Sequence, residues 1–225
     1  MKTQVIIPAA GLGARLNSSI PKALIPLRKI PLIVYSLKVF ESSRKISSVI
    51  IAGPEGHLKN LQKLAERYRL KKVKFIISGG ATRSESVSHA LGMLDDDTKI
   101  VVVHDAARPF LNRSILEKAL ALMQKEKAVA VAVPVKPTIK RVNKKSFYVT
   151  ETLDRSELWD IQTPQVFQKE ILVKAHSKML CLNPSDDAVL VEKMGVRVKI
   201  CPGEYRNIKI TTPEDFVLAE IFLRK

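Results

Sequence analysis

The sequence predicts an α/β chain: a mostly parallel sheet with helices on both faces, and a small β-hairpin arm protruding from it. Short β-branched apolar runs recur through the first half, and apolar residues at three- and four-residue spacing fill the stretches between them. After Val133 that rhythm breaks into two alternating segments around a polar turn.

The runs are Gln4–Pro8, Ser48–Ala52, Val73–Ser78, Ile100–His104 and Ala128–Val133, continuous rather than alternating, as strands buried on both faces must be. Between them Leu32–Ser42, Glu55–Arg69, Arg83–Leu94 and Ser114–Lys127 read as helices. Leu61, Leu64 and Ala65 form one apolar stripe, and Leu116, Leu120 and Met123 another. Strands and helices alternating at these lengths imply right-handed crossovers and a Rossmann-like arrangement. Pro134-Val135-Lys136-Pro137 then opens the arm, residues 135–155. In it Thr138–Val142 and Phe147–Thr152 alternate about Asn143-Lys144-Lys145-Ser146, a hairpin turn. A hairpin this small has no core of its own and needs a surface to pack on, most simply a partner subunit. A helix after Gln168, another from Ser185, strands at Val196–Cys201 and Asn207–Thr211, and a helix from Pro213 complete residues 1–225 as one domain.

At 225 residues, 46% hydrophobic and 27% charged, the chain is too apolar for disorder and long enough to bury a core without staples. The net charge is +16, and before residue 95 there are 16 Lys and Arg against 4 acids. Such an excess suits nucleic acid, an anionic membrane or phosphorylated small molecules. The run Lys59, Lys63, Arg67, Arg69, Lys71, Lys72 and Lys74 has no interleaved aromatics beyond Tyr68 and Phe75, and reads as a solvated face. No apolar stretch approaches the roughly 20 residues of a membrane span, and Val5–Ala10, interrupted by Pro8, is wrong for a signal peptide. Cys181 and Cys201 have neither a CxxC nor clustered His nearby, so zinc is not indicated and reduced thiols in a cytoplasm are expected. Neither nucleic acid nor membrane is an expected partner.

Pro8-Ala9-Ala10-Gly11-Leu12-Gly13-Ala14-Arg15 follows the first strand, with Pro21-Lys22 beyond it. Small side chains let backbone N–H groups approach a phosphate. Leu16 stands where the third glycine of a dinucleotide fingerprint belongs, and no Gly precedes Lys22, so neither that motif nor a Walker loop is present. Arg15 and Lys22 beside such a loop fit phosphoryl or nucleotidyl transfer, where catalysis is mainly positioning and neutralisation of developing charge. A tight turn with two solvated cations accounts for the glycines equally well.

His104-Asp105-Ala106-Ala107-Arg108-Pro109 closes the strand at Ile100–Val103, where open α/β sheets bind ligands. Asp105 is placed to touch a magnesium ion or a ribose hydroxyl, or else caps a turn paired with Arg108; His104 reads as a hydrogen-bonded structural residue. Gly79-Gly80-Ala81-Thr82-Arg83-Ser84-Glu85-Ser86 offers backbone contacts to a base, sugar or phosphate, although Thr82 or Ser84 as a helix N-cap explains most of it. Lys209 between Ile208 and Ile210 faces away from both, toward solvent or toward the strand-end site.

In this order the segments resemble one family, the 2-C-methyl-D-erythritol 4-phosphate cytidylyltransferases of the non-mevalonate isoprenoid pathway. Thr152-Leu153-Asp154-Arg155, Leu158-Trp159, Gln162-Thr163-Pro164-Gln165 and Asn207-Ile208-Lys209 complete the resemblance, which runs from residue 8 to residue 211. It implies transfer of a cytidylyl group from CTP to the phosphate of methylerythritol phosphate, giving 4-diphosphocytidyl-2-C-methyl-D-erythritol and pyrophosphate. Under it, Arg15 and Lys22 would stabilise the pentacoordinate α-phosphorus, while Arg155 and Lys209, helped by Thr138 and Thr163, would hold the attacking phosphate. Ala9, Ala10, Gly11, Gly13, Gly80, Arg83, Ser86 and Asp105 would bind the nucleotide, with Arg108 a further site candidate. Magnesium or another divalent cation would be held mainly by the CTP phosphates, with Asp105 a weaker ligand. The arm would cross within a homodimer, so that Thr138 and Arg155 serve the other subunit's site.

Two residues depart from the family pattern. Ala81 stands where an acidic residue usually follows the glycine pair, and Pro137 where Asp usually precedes the arm threonine. A ribitol 5-phosphate cytidylyltransferase shares the glycine loop, Thr-Pro-Gln and Asn-x-Lys elements, but Ala107 and Leu158-Trp159 look more like the methylerythritol branch. The reading from another class, a basic nucleic-acid-binding module, lacks paired aromatics on a strand or a basic heptad helix.

Overall fold

The computed structural model describes residues 1–11, 13, 20–178 and 184–224. β1 (Lys2–Pro8) is followed by a 3-10 turn at Lys22–Leu24, a two-stranded ribbon of β2 (Pro26–Leu27) and β3 (Ile30–Pro31), and α1 (Leu32–Ser42). Next come β4 (Ser48–Gly53), α2 (Leu58–Arg67), β5 (Val73–Ser78), α3 (Arg83–Leu91), β6 (Thr98–Val103), α4 (Arg113–Leu122) and β7 (Ala128–Pro134). The arm is β8 (Lys140–Val142) and β9 (Val149–Thr152), and after it stand β10 (Trp159–Gln168), α5 (Lys169–Lys178), α6 (Asp187–Glu192), β11 (Lys199–Pro202) and α7 (Pro213–Phe222).

The main sheet has the order β11-β7-β10-β6-β1-β4-β5. Pairing is parallel throughout except at β10, which lies antiparallel to both β6 and β7. Successive strand residues feed two cores. Val5, Ile7, Val49, Ile51 and Val102 meet Leu37, Phe40, Leu61 and Leu116 of α1, α2 and α4 on one side. Ile6, Ile50, Val101, Val103 and Phe167 meet Val87, Leu172 and Leu190 of α3, α5 and α6 on the other. Helices on both faces explain why the strand sequences are continuously apolar.

β10 is absent from the sequence-based expectation. Pro164 and the polar residues Gln162, Thr163 and Gln165 disguise it, since a proline argues against a central strand. The strand accommodates them where its register against β7 shifts between Ile161 and Gln165. The strand expected at Asn207–Thr211 does not form. That segment joins no ladder and is held instead by Asn207 Nδ2, which donates to Gln162 Oε1 at 3.1 Å and to the Thr163 carbonyl at 2.9 Å. Before α2 the chain makes a 3-10 turn at Glu55–His57, and α6 starts directly after its N-cap, Asp186, whose Oδ1 accepts from Val189 N–H at 3.0 Å.

The hairpin turn is made by Asn143, whose Oδ1 accepts from the N–H groups of Lys145 and Ser146. Every residue of β8 and β9 is exposed, and beside them Phe147 and Tyr148 are 81% and 77% exposed. Among the described residues no helix is long and apolar enough to cross a membrane.

Phe167 is fully buried on β10, so Phe167→Ala should lower the unfolding free energy by about 3–5 kcal/mol. In urea this reads as a lower midpoint with unchanged slope. Phe147→Ser, on the exposed hairpin, should shift the monomer's unfolding free energy by less than about 0.5 kcal/mol.

Candidate active site

Because β6, β1, β4 and β5 are adjacent and parallel, their carboxyl ends share one edge, and strand addition reverses direction at β1. A crevice is expected there. A cleft of about 620 Å³ occupies it. Of the residues expected to act, Ala9, Ala10, Gly11, Gly13, Lys22, Gly80, Arg83, Ser86, Asp105 and Lys209 line this cleft. Arg15, with Leu12 and Ala14, lies outside the described residues.

The loops that build the cleft are tied to strand ends. Ala9 N–H donates to the Ala52 carbonyl at 2.7 Å, and Gly79 N–H to that of Gly53 at 2.8 Å. A Cβ on Gly79 would lie 2.5 Å from Ala10 Cβ and 2.8 Å from Ser86 Oγ, so the two loops can approach only because that residue is glycine. Gly13 has φ +72, and a Cβ there would sit 2.9 Å from Lys22 Cβ; the lysine's stem packs directly on the glycine. The Ser86 hydroxyl accepts from Gly80 N–H at 3.1 Å and donates to the Thr82 carbonyl at 2.9 Å. Thr82 caps α3 by accepting from Glu85 N–H, and Ala81 N–H donates to Glu85 Oε2 at 2.8 Å. A carboxylate thus reaches the position after the glycine pair from Glu85, one helical turn on.

Asp105 is the electrostatic centre. Arg83 Nε lies 2.9 Å from its Oδ1, Lys209 Nζ 2.8 Å from its Oδ2, and Arg108 Nε 3.9 Å from the latter. Burial alone would raise its pKa, but Arg83 and Lys209 hold it well below the usual carboxylate range. The alternatives for Lys209 therefore resolve toward the cleft. Arg108 is buried and does not line it: Nη1 donates to the Asn207 carbonyl at 2.7 Å and Nη2 to that of Ile161 at 3.2 Å, tying three segments together. Arg83 Nη2 is buried without a protein partner, a donor left for a bound molecule or water.

Thr163 stands behind the wall, 3% exposed. Its hydroxyl accepts from Asp105 N–H at 3.1 Å and meets His104 Nδ1 at 3.0 Å. Thr138 and Arg155 are exposed at the base of the arm and do not line this chain's cleft; Arg155 Nη1 donates to the Lys136 carbonyl at 2.9 Å. The donor set does not fit a resident metal. Both Asp105 oxygens are engaged by cations, and among the described residues no three His, Cys, Asp or Glu are grouped to hold an ion. No sequence motif marks Asp187 or His176, which stand off the cleft lining and pair with each other. The only trace of Asp187 in the sequence is the Ser185-Asp186-Asp187 helix start, which capping explains by itself.

Small-residue loops, cations and one buried carboxylate at the carboxyl edge of such a sheet define an α/β nucleotidyltransferase. Comparison with known proteins narrows this. The profile of the 2-C-methyl-D-erythritol 4-phosphate cytidylyltransferase family matches residues 3–225. A relative of that name from Caldanaerobacter subterraneus subsp. tengcongensis is 42% identical over 228 residues, covering 100% of each chain. One from Bacillus cereus is 40% identical over 97% of this chain and 96% of its own. Among solved structures, 4-diphosphocytidyl-2C-methyl-D-erythritol synthase from Anaerococcus prevotii superposes with a TM-score of 0.88 at 29% identity, covering 100% of this chain and 96% of its own. The 2-C-methyl-D-erythritol 4-phosphate cytidylyltransferase of Thermus thermophilus superposes with 0.81 at 32% identity, covering 100% of both. The chain belongs to the 2-C-methyl-D-erythritol 4-phosphate cytidylyltransferase family, nucleotidyltransferases of isoprenoid biosynthesis.

His104 is fully buried beneath Asp105. Nε2–H donates to the Arg108 carbonyl at 3.1 Å, which leaves Nδ1 to accept from the Thr163 hydroxyl in the neutral ring. Burial pulls its pKa down to about 4. Between that value and the ordinary 6.5 the unfolded chain binds the extra proton, so stability should fall as pH drops through this window, by at most about 1.4 kcal/mol per unit. Urea midpoints between pH 7 and pH 4.5 should show this slope, flattened in His104→Asn.

Proposed function

We propose that this cleft moves CMP from CTP to the phosphate of 2-C-methyl-D-erythritol 4-phosphate, with Arg15 and Lys22 acting on the reacting phosphorus. The observation that carries the assignment is the cluster in which Arg83 and Lys209 share Asp105 in the same cleft that the β1 loop and Lys22 line. The nucleotide phosphates lie against the small residues Ala10, Gly11 and Gly13 that line the cleft after β1, and Asp105 takes the ribose or base side. An oxygen of the sugar phosphate bonds to the α-phosphorus while the bond to pyrophosphate breaks. Charge rises on the equatorial oxygens, where Arg15 and Lys22 meet it. The nucleophile is already an anion, so no covalent enzyme intermediate is needed.

Lys209 holds the incoming phosphate, and Thr163 acts from behind by holding Asp105 N–H. Arg155 and Thr138 complete the neighbouring subunit's site in a homodimer. Their position away from their own cleft and the exposed Phe147 and Tyr148 support this. Magnesium enters as part of the substrate, on the CTP phosphates, consistent with its preference for phosphate and water oxygens. A cytoplasmic location fits this substrate and the thiol content. Each relative reported above carries the methylerythritol name, which favours that acceptor over ribitol phosphate and over a nucleic-acid-binding module.

With CTP and magnesium, pyrophosphate should be released with methylerythritol phosphate; turnover with ribitol 5-phosphate alone would overturn the acceptor. Lys22→Ala should lower kcat by about 100-fold or more, and Arg155→Ala should mainly raise KM for the sugar phosphate. At methylerythritol phosphate far below the KM of Arg155→Ala, where either variant alone turns over little, mixing the two chains should restore about a quarter of the wild-type activity, since half of randomly formed dimers carry one intact composite site. No recovery would place each site within one chain.

A further inference from the structure

Behind the cleft wall a line of charged side chains runs from Lys209 to an aspartate that none of the motifs includes. Lys209 Nζ lies 2.8 Å from Asp105 Oδ2. Asp105 Oδ1 accepts from Arg83 Nε at 2.9 Å, and Arg83 Nη1 donates to Asp187 Oδ2 at 2.7 Å. Asp187 Oδ1 meets His176 Nε2 at 3.0 Å. Arg83, Asp105 and Lys209 line the cleft, whereas Asp187 and His176 do not.

The far end of this line is the rigid one. Asp187 is 0% exposed. Gln165 Oε1 accepts from the N–H groups of Asp187 and Ala188, both at 3.2 Å, and Gln165 Nε2 donates to Asp186 Oδ2 at 2.8 Å, so the start of α6 is pinned to β10. Lys209, by contrast, stands on an irregular segment with its side chain 38% exposed.

We propose that Asp187 is a positioning residue for the transfer reaction: through the guanidinium of Arg83 it fixes where Asp105, and with it Lys209, stand. A planar guanidinium that bridges two carboxylates has little freedom to turn. Without the Asp187 charge, Arg83 can direct both donors at Asp105 and compete with Lys209 for Oδ2. The ammonium that holds the sugar phosphate then loses its anchor.

The inference rests on the assignment of Lys209 to that phosphate, so Lys209→Ala is measured alongside. Asp187→Asn keeps the side-chain shape and removes the charge. In the folded protein, kcat/KM for methylerythritol phosphate should fall about 10- to 100-fold, and adding Asp187→Asn to Arg83→Ala should cost nothing further. An unchanged kcat/KM in Asp187→Asn while Lys209→Ala is impaired overturns the positioning role alone. Full additivity with Arg83→Ala also overturns it, because Asp187 would then act by another route. A silent Lys209→Ala removes the phosphate assignment and the inference together. If Asp187→Asn does not fold, Arg83→Lys carries the test: a lysine offers one nitrogen where the planar guanidinium places Nε on Asp105 and Nη1 on Asp187, so the fixed spacing between the carboxylates is lost, the same loss is expected, and wild-type kcat/KM overturns the proposal.

Discussion

Burying the Asp105 carboxylate at the carboxyl end of β6 is unfavourable unless cations come with it, and the neighbouring segments are arranged by how those cations arrive. Arg83 comes from the first turn of α3, Lys209 from the irregular segment after β11, and Arg108 from the turn that follows Asp105 itself. Each then makes demands of its own. Arg83 needs a second carboxylate and finds it on α6; Arg108 needs carbonyls and finds them at Ile161 on β10 and at Asn207. One buried charge thus ties elements from both halves of the chain into the wall of a single cleft.

The same accounting changes the meaning of the net charge of +16. At the cleft wall the cations are largely matched, because Arg83 and Lys209 share Asp105 and Arg83 also faces Asp187. The basic run around α2 and β5 is partly committed to structure as well. Lys72 Nζ donates to the Phe40 and Ser43 carbonyls at the end of α1, Lys74 pairs with Asp95, and Arg67 lies over the Tyr68 ring. The field of the remaining positive surface is long-ranged only at low salt and is screened within about 8 Å at physiological ionic strength.

Much of this was legible in the sequence because burial on both faces writes a simple signal. β1, β4, β6 and β7 are apolar runs with few exceptions, and the glycine loops mark the strand ends where ligands bind. The illegible parts are those where polar residues are satisfied by distant partners. β10 carries Gln162, Thr163 and Gln165 in a central position because Asn207, His104 and the start of α6 bond to them. Asn207–Thr211 alternates like a strand but is pinned by side chains. Arg83 was legible as a cleft residue, whereas its second partner, Asp187, is 104 positions away and carries no local mark.

The placement of β10 also bears on how the chain is made. Both neighbours of β7 in the sheet, β10 and β11, lie after it in the sequence. As the polypeptide leaves the ribosome, the apolar strand Ala128–Pro134 therefore emerges with no edge to pair with, and it waits while the β8–β9 hairpin is synthesised. At roughly 5–20 residues per second that interval lasts about 2–7 s before β10 is complete. During it an unpaired apolar strand is open to wrong partners. The length of the hairpin segment, whatever surface it packs on in the finished protein, sets the time for which the nascent chain needs shielding.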